Sequence, residues 1–111
     1  MGIVNVHPSL LPRYRGPNPL YWVLDRGERE TGVTVHYVDE GIDTGDIILQ
    51  ETLAIGPGDT EITLQRRSAT LGAELLVRAV TLIAGGGAPR RAQRHAAATY
   101  YPSPPRGASR L

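Results

Sequence analysis

Asn5 and His7 lie two residues apart in a stretch rich in β-branched residues, Ile3, Val4 and Val6, that Pro8 cuts short. On a strand that spacing puts both side chains on one face. An amide and an imidazole then project together at the strand's carboxyl end, where open α/β sheets place ligands. Asp43 follows 43 − 5 = 38 residues after Asn5, in a segment that Gly41 and Gly45 flank. An amide donor, an imidazole and a carboxylate suit acyl transfer to an amine. The amide and a protonated imidazole can stabilise the oxyanion of a tetrahedral intermediate. The carboxylate favours and orients the charged imidazole, which then serves in proton transfer. An Asn and a His at a strand end also serve as loop caps or backbone partners, so spacing alone leaves both readings open.

Three kinds of element must position this set. Residues 2–7 are expected as a short buried strand, and residues 8–19, punctuated by Pro8, Pro12, Gly16, Pro17 and Pro19, as a loop. A short helix is expected over 18–26, with Pro19 in its first turn, Gly27 closing it, and Tyr21 to Leu24 supplying its buried face. Residues 31–38 alternate, with Val33, Val35 and Tyr37 on one side and Thr34, His36 and Val38 on the other. Residues 47–53 form a second strand, so the two pair antiparallel around the Asp43 loop. After Gly56-Pro57-Gly58, Asp59 is expected to cap a helix running to Ala84, with Leu64, Ser68, Leu71, Leu75, Ala79 and Leu82 on its apolar face. Gly72 costs that helix about 1 kcal/mol relative to Ala. The chain divides into residues 1–88, which carry these elements, and an extended or partly disordered tail over 89–111, rich in Ala, Arg and Pro.

Composition narrows the function classes. A chain of 111 residues makes one domain at most, with a formal charge of +1 that argues against a polyelectrolyte partner. The absence of cysteine excludes disulfides and thiolate metal sites and fits a reducing cytoplasm. Residues 75–84, the most apolar segment, are interrupted by Arg78 and too short to cross a bilayer, so no membrane partner is expected. A His7/His36/Asp43 metal site lacks tight ligand spacing, so no metal is expected, and His36 reads better as a half-buried structural residue. Arg13, Tyr14, Arg15 and Tyr21 are too few for a nucleic-acid patch and fit the mouth of an active site better. His95, among Arg and Ala, is expected to be exposed.

The words around the three residues carry more. Asn5-Val6-His7-Pro8-Ser9-Leu10-Leu11-Pro12, then Arg15-Gly16, Thr31-Gly32-Val33 and Asp43-Thr44-Gly45-Asp46, closely resemble the formyltransferase superfamily of glycinamide ribonucleotide and methionyl-tRNA formyltransferases in order and spacing. The similarity runs from about Gly2 to Ala84, and Thr99-Tyr100-Tyr101-Pro102 is similar to the family's segment after the long helix. The resemblance implies an enzyme that transfers a formyl group from 10-formyltetrahydrofolate to a primary amine, with Asn5, His7 and Asp43 as the catalytic amide, histidine and aspartate. It implies that Ser9, Leu10, Leu11 and Pro12 help bind the folate, and that Val38, Asp39, Glu40, Gly41 and Ile42 wall the pterin pocket. It also implies a Rossmann-like α/β fold, here the carboxyl-terminal half of the catalytic domain: one parallel core strand, a hairpin-like pair and a long helix.

Family features are mixed. Pro8 after the histidine resembles the purine-pathway enzymes, whereas Arg15-Gly16 with Pro19-Leu20 and Asp43-Thr44-Gly45-Asp46 resemble the methionyl-tRNA and sugar-nucleotide enzymes. The acceptor, a small molecule or a tRNA-borne amine, stays open. The resemblance implies an amino-terminal half with much of the pterin pocket, which a separate chain or a longer reading frame would have to supply. Without it, the chain is expected to be marginally stable or self-associated, to bind reduced folate weakly and to be inactive. The alternative is a non-catalytic formyltransferase-like fragment or partner-binding module.

Overall fold

The computed structural model describes residues 2–105. In chain order it contains β1 (Val4–His7), α1 (Pro19–Asp25), β2 (Glu30–Tyr37), β3 (Ile47–Ala54) and α2 (Glu61–Ala84), followed by a 3-10 turn at His95–Ala97. The α/β class is as expected. β1 pairs antiparallel with β2, Asn5 opposite His36 and His7 opposite Thr34, in a three-stranded sheet of order β1-β2-β3. The connection between β1 and β2 turns back through a proline-rich loop and the short α1, so β2 returns alongside β1 in the opposite sense. Among the described residues, no strand runs parallel to β1 within the sheet.

β2 is the centre of the molecule, with every residue from Thr31 to His36 buried. On one side Val33 and Val35 pack with Ile48, Leu75 and Ala79 beneath α2. A bulge at Val35/His36 sets Leu49 opposite Val35 and Ile47 opposite His36, leaving Ile48 as the extra residue. That accounts for two consecutive buried isoleucines, Ile47 and Ile48, at the start of β3. α2 buries Leu64, Ser68, Gly72, Leu75 and Ala79, the expected stripe with Leu71 half-buried and Leu82 exposed. Gly72 has a packing reason: a Cβ there would stand 2.9 Å from Val6 Cγ1 and 3.5 Å from Val33 Cγ1. The glycine lets the helix close onto the sheet.

The cap of α2 differs by one residue from expectation. Thr60 takes the N-cap, accepting from Thr63 N while the Thr63 hydroxyl accepts from Thr60 N, a reciprocal capping box. The Asp59 carboxylate instead accepts from Gly56 N, from the Thr63 hydroxyl and from Arg67, which ties the preceding turn to the helix. These partners hold Asp59 below the usual carboxylate range, the Gly56 amide first among them.

A second cluster, Tyr14, Leu20, Val23 and Leu64, joins the proline loop and α1 to the start of α2. On α1 the buried residues are Pro19, Leu20 and Val23, while Tyr21, Trp22 and Leu24 are half-buried, a shift of the expected buried face. Residues after α2 run back across the domain. Ile47 and Arg91 exchange backbone hydrogen bonds of 2.7 and 2.9 Å, and Arg15 bonds on either side to Thr99 O and from Tyr101 N. Tyr101 stacks between Tyr14 and Trp22, with ring centroids 5.2 and 5.0 Å away. The expected tail over 89–111 includes residues 106–111, which lie outside the described residues.

Candidate active site

β1 and β2 build the floor of the site, and two loops build its walls. The direct pairings of Asn5 with His36 and His7 with Thr34 put all four side chains on the face of the sheet opposite α2. His7 is 5 % exposed, whereas Asn5 on the same strand is exposed. His7 Nε2 lies 2.9 Å from the carbonyl oxygen of Tyr14. A carbonyl can only accept, so Nε2 carries the proton and Nδ1 holds the lone pair of the neutral ring. Nδ1 faces Asp43 Oδ1 at 3.5 Å, longer than a hydrogen bond, so the carboxylate acts on the ring through charge.

Asp43 arrives from the β2–β3 loop in a left-handed conformation, φ 57°, a region Asp tolerates better than most residues. Its Oδ2 accepts from Gly16 N at 2.9 Å. Gly16 itself has φ 119°, and a Cβ there would meet the Tyr101 carbonyl oxygen at 2.1 Å, so only glycine fits. Residues 14 and 16 of one loop thus hold His7 by a carbonyl and Asp43 by an amide.

Burial pulls His7 below its ordinary value. The Tyr14 carbonyl and the Asp43 carboxylate oppose that pull, and His36 adds to it. His7 is therefore neutral near pH 7, with Asp43 placed to stabilise the imidazolium once Nδ1 takes a proton.

His36, read from sequence as structural, joins the group. It is 2 % exposed, and its ring centroid lies 6.5 Å from that of His7. Its Nδ1 bonds the Tyr37 carbonyl at 2.9 Å, while its Nε2 has no hydrogen-bond partner among the described residues and stands 4.0 Å from Asp43 Oδ1. Two imidazoles therefore flank one carboxylate. The signal was the pairing of His36 with Asn5, which is invisible until the strand direction is known. Among the described residues, no group of three His, Cys, Asp or Glu side chains is arranged to hold a metal ion. His95 is exposed and approaches Arg15 at 2.8 Å.

The two segments implied to bind folate differ in character. In the first, Ser9 and Leu11 are turned inward: the Ser9 hydroxyl donates to Arg13 O at 2.8 Å, and Leu11 is 2 % exposed. Leu10 and Pro12 are half-buried. In the second, Val38, Asp39, Glu40, Gly41 and Ile42 are all exposed, Val38 by 45 % and Ile42 by 61 %. The Asp39 carboxylate accepts from the Thr44 hydroxyl and from Gly41 N, which closes this loop on itself and holds Asp39 below the usual carboxylate range. Gly45 anchors its far end, where a Cβ would fall 1.7 Å from the Tyr37 carbonyl oxygen. Five clefts among the described residues are lined by residues other than Asn5, His7 and Asp43.

No helix among the described residues is long and apolar enough to cross a membrane. The chain is 52 % identical over 102 residues to the methionyl-tRNA formyltransferase of Syntrophus aciditrophicus, covering 92 % of this chain and 33 % of that protein. It spans about a third of the length of the curated relatives it matches. Among solved structures, the N-formyltransferase of Helicobacter canadensis, in complex with folinic acid and dTDP-3-aminofucose, superposes with a TM-score of 0.87 at 31 % identity, over 91 % of this chain and 38 % of that one. The formyltransferase PseJ of Anoxybacillus kamchatkensis, in complex with a formamido sugar nucleotide and tetrahydrofolate, gives 0.81 at 31 % identity, over 90 % and 52 %. The family model described as formyl transferase matches residues 1–80, the span that holds β1, the Asp43 loop and most of α2, and the chain belongs to that family.

Proposed function

We propose that this chain carries the acid–base half of a formyl transfer from 10-formyltetrahydrofolate to a primary amine. The observation that carries the proposal is the convergence of His7 and His36 on the Asp43 carboxylate, beside an exposed Asn5 on the same face. The amine nitrogen attacks the formyl carbon, and the carbonyl oxygen becomes an oxyanion that the Asn5 amide stabilises. His7, neutral at rest, takes the proton that the attacking nitrogen sheds. The resulting imidazolium is held by Asp43 and assists the oxyanion. The proton then passes to N10 of tetrahydrofolate as the C–N bond breaks, so the site ends as it began.

Donor binding falls to two places. Exposed Val38 and Ile42, on a loop closed by Asp39 and Thr44, suit an apolar wall for the flat pterin. In the Ser9–Pro12 segment, half-buried Leu10 and Pro12 are available to the donor, while Ser9 and Leu11 hold the backbone in place. Identity of 52 % to a methionyl-tRNA enzyme against 31 % to sugar enzymes favours an aminoacyl-tRNA acceptor. The pocket is completed by a further segment from the remaining two-thirds of such an enzyme.

A chimera tests this proposal. This chain would replace the 102 matched residues of the Syntrophus enzyme, and formyl transfer to methionyl-tRNA would be followed in single turnovers. The chimera is expected to be active, and His7→Ala to lower its rate about 10²–10⁴-fold, the usual worth of a positioned acid–base group. Full activity in the alanine variant removes His7 from the chemistry.

A further inference from the structure

We infer that Gln93 is a positioning residue: it locks the loop carrying Asp43 to the loop carrying Tyr14–Gly16, and so sets the geometry between Asp43 and His7. The inference rests on the formyl-transfer proposal only for its consequence in catalysis; the lock itself stands on the hydrogen bonds. Gln93 is 5 % exposed in a stretch, residues 90–97, whose other members are all exposed. Its Nε2 donates both protons to the Asp43 loop, to Asp43 O at 2.9 Å and Gly45 O at 2.7 Å. Its Oε1 accepts from Arg15 Nη2 at 2.9 Å.

These bonds close a ring. Gly16 N reaches the Asp43 carboxylate, Arg15 reaches Gln93, and Gln93 reaches the Asp43 carbonyl. The third residue of the same loop, Tyr14, holds His7 by its carbonyl. Asp43 sits at φ 57°, a conformation that persists only where the surroundings over-determine it. A neutral amide suits this place because it donates twice and accepts once with no buried charge of its own. The backbone pins the segment on both sides of Gln93, at Ile47–Arg91 and at Arg15 with Thr99 and Tyr101. Gln93 is thus held against two loops that, among the described residues, are otherwise joined by the hydrogen bond from Gly16 to Asp43.

The test is amide exchange and imidazole titration by NMR on the isotopically labelled chain, comparing wild type with Gln93→Leu and Gln93→Glu. Both variants lose the double donor; the glutamate keeps the size and an acceptor for Arg15. Exchange at the Gly16 amide is expected to rise at least about tenfold, while the Arg91 and Tyr101 amides keep their protection. The His7 titration midpoint is expected to fall, because the Asp43 carboxylate that raises it moves away while burial and His36 still lower it. Unchanged Gly16 exchange and an unchanged His7 midpoint in both variants would overturn the inference. So would loss of Arg91 and Tyr101 protection in both, since Gln93 would then secure the whole segment and not the two loops. If the segment loosens only in Gln93→Leu, the Gln93→Glu result decides by the same two readouts. Neither readout needs substrate. A displaced Asp43 loop with an unaltered pH–rate profile in the Gln93→Glu chimera would leave the lock standing and sink the catalytic proposal instead.

Discussion

The two faces of β2 are equally dry and built from opposite chemistry. Towards α2, Val33 and Val35 meet Leu75, Ala79 and Ile48, an all-carbon contact that any apolar residues of similar volume could approximate. On the other face Thr34 and His36 are buried among polar groups. The Thr34 hydroxyl donates to Ser9 O at 2.7 Å and accepts from Leu11 N at 3.2 Å and from Gln50 Nε2 at 2.9 Å, and Gln50 also reaches Leu11 O. The first face supplies most of the cohesion. The second spends buried polar groups to hold one backbone path through residues 7–16, and it is the face on which the candidate site stands.

If that division is right, substitutions on the two faces fail differently. Leu75→Ala removes a side chain only 2 % exposed at the centre of the carbon face and should cost about 2–5 kcal/mol in chemical denaturation. The His7 and Asp43 resonances of the remaining folded protein should stay where they are. Thr34→Val keeps the shape but leaves Ser9 O, Leu11 N–H and Gln50 short of a partner, for about 1–3 kcal/mol. Here the resonances of residues 7–16 should move. Large shifts at His7 from the leucine variant, and none from the valine variant, would erase the distinction between the faces.

Gly72→Ala probes the tighter side of the carbon face. Alanine gains about 1 kcal/mol in helix propensity, yet its Cβ would press Val6 Cγ1 at 2.9 Å, and a stiff β-branched neighbour yields little. Overpacking of this kind costs about 1–3 kcal/mol, so a net loss near 1 kcal/mol is expected. A more stable Gly72→Ala protein, by denaturation midpoint at unchanged slope, would show that β1 has room to retreat.

The same contrast explains what could be read in the sequence. Helix periodicity marks the carbon face, so Leu64, Leu75 and Ala79 were legible, as were the two strands around Asp43. Asn5, His7 and Asp43 stood out through the words around them. The direction of β1 was not legible, because a four-residue strand with Val4 and Val6 has no local feature that distinguishes parallel from antiparallel pairing. His36 stayed hidden for the same reason, since its place beside Asn5 follows only from the register of β1 against β2. The α2 cap was missed by one residue because Asp59 and Thr60 are both good caps and the choice depends on which reaches Gly56. Gln93 carried no signal: its role depends on where two loops, some fifty and eighty residues earlier in the chain, happen to meet it.

The smallest effect is the most specific to the polar face. Burial holds the folded-state value of His7 below its ordinary 6.5, against the raising influence of the Tyr14 carbonyl and Asp43. Above that ordinary value the ring is neutral in both folded and unfolded chains and contributes no pH dependence. As pH falls through 6.5 the unfolded chain takes up a proton that the folded chain resists, so the unfolded state binds more protons and stability declines. The decline ends once pH has also passed the lowered folded value. Carboxylates elsewhere add their own slopes in acid, which His7→Gln leaves in place while removing this one. The measurement is denaturant unfolding of both proteins at steps from about pH 7.5 down to about pH 5. The wild type should lose stability relative to His7→Gln over that descent. A flat difference would mean that the Tyr14 carbonyl and Asp43 balance burial; one that runs the other way would mean that they outweigh it and that His7 rests as an imidazolium paired with its carboxylate.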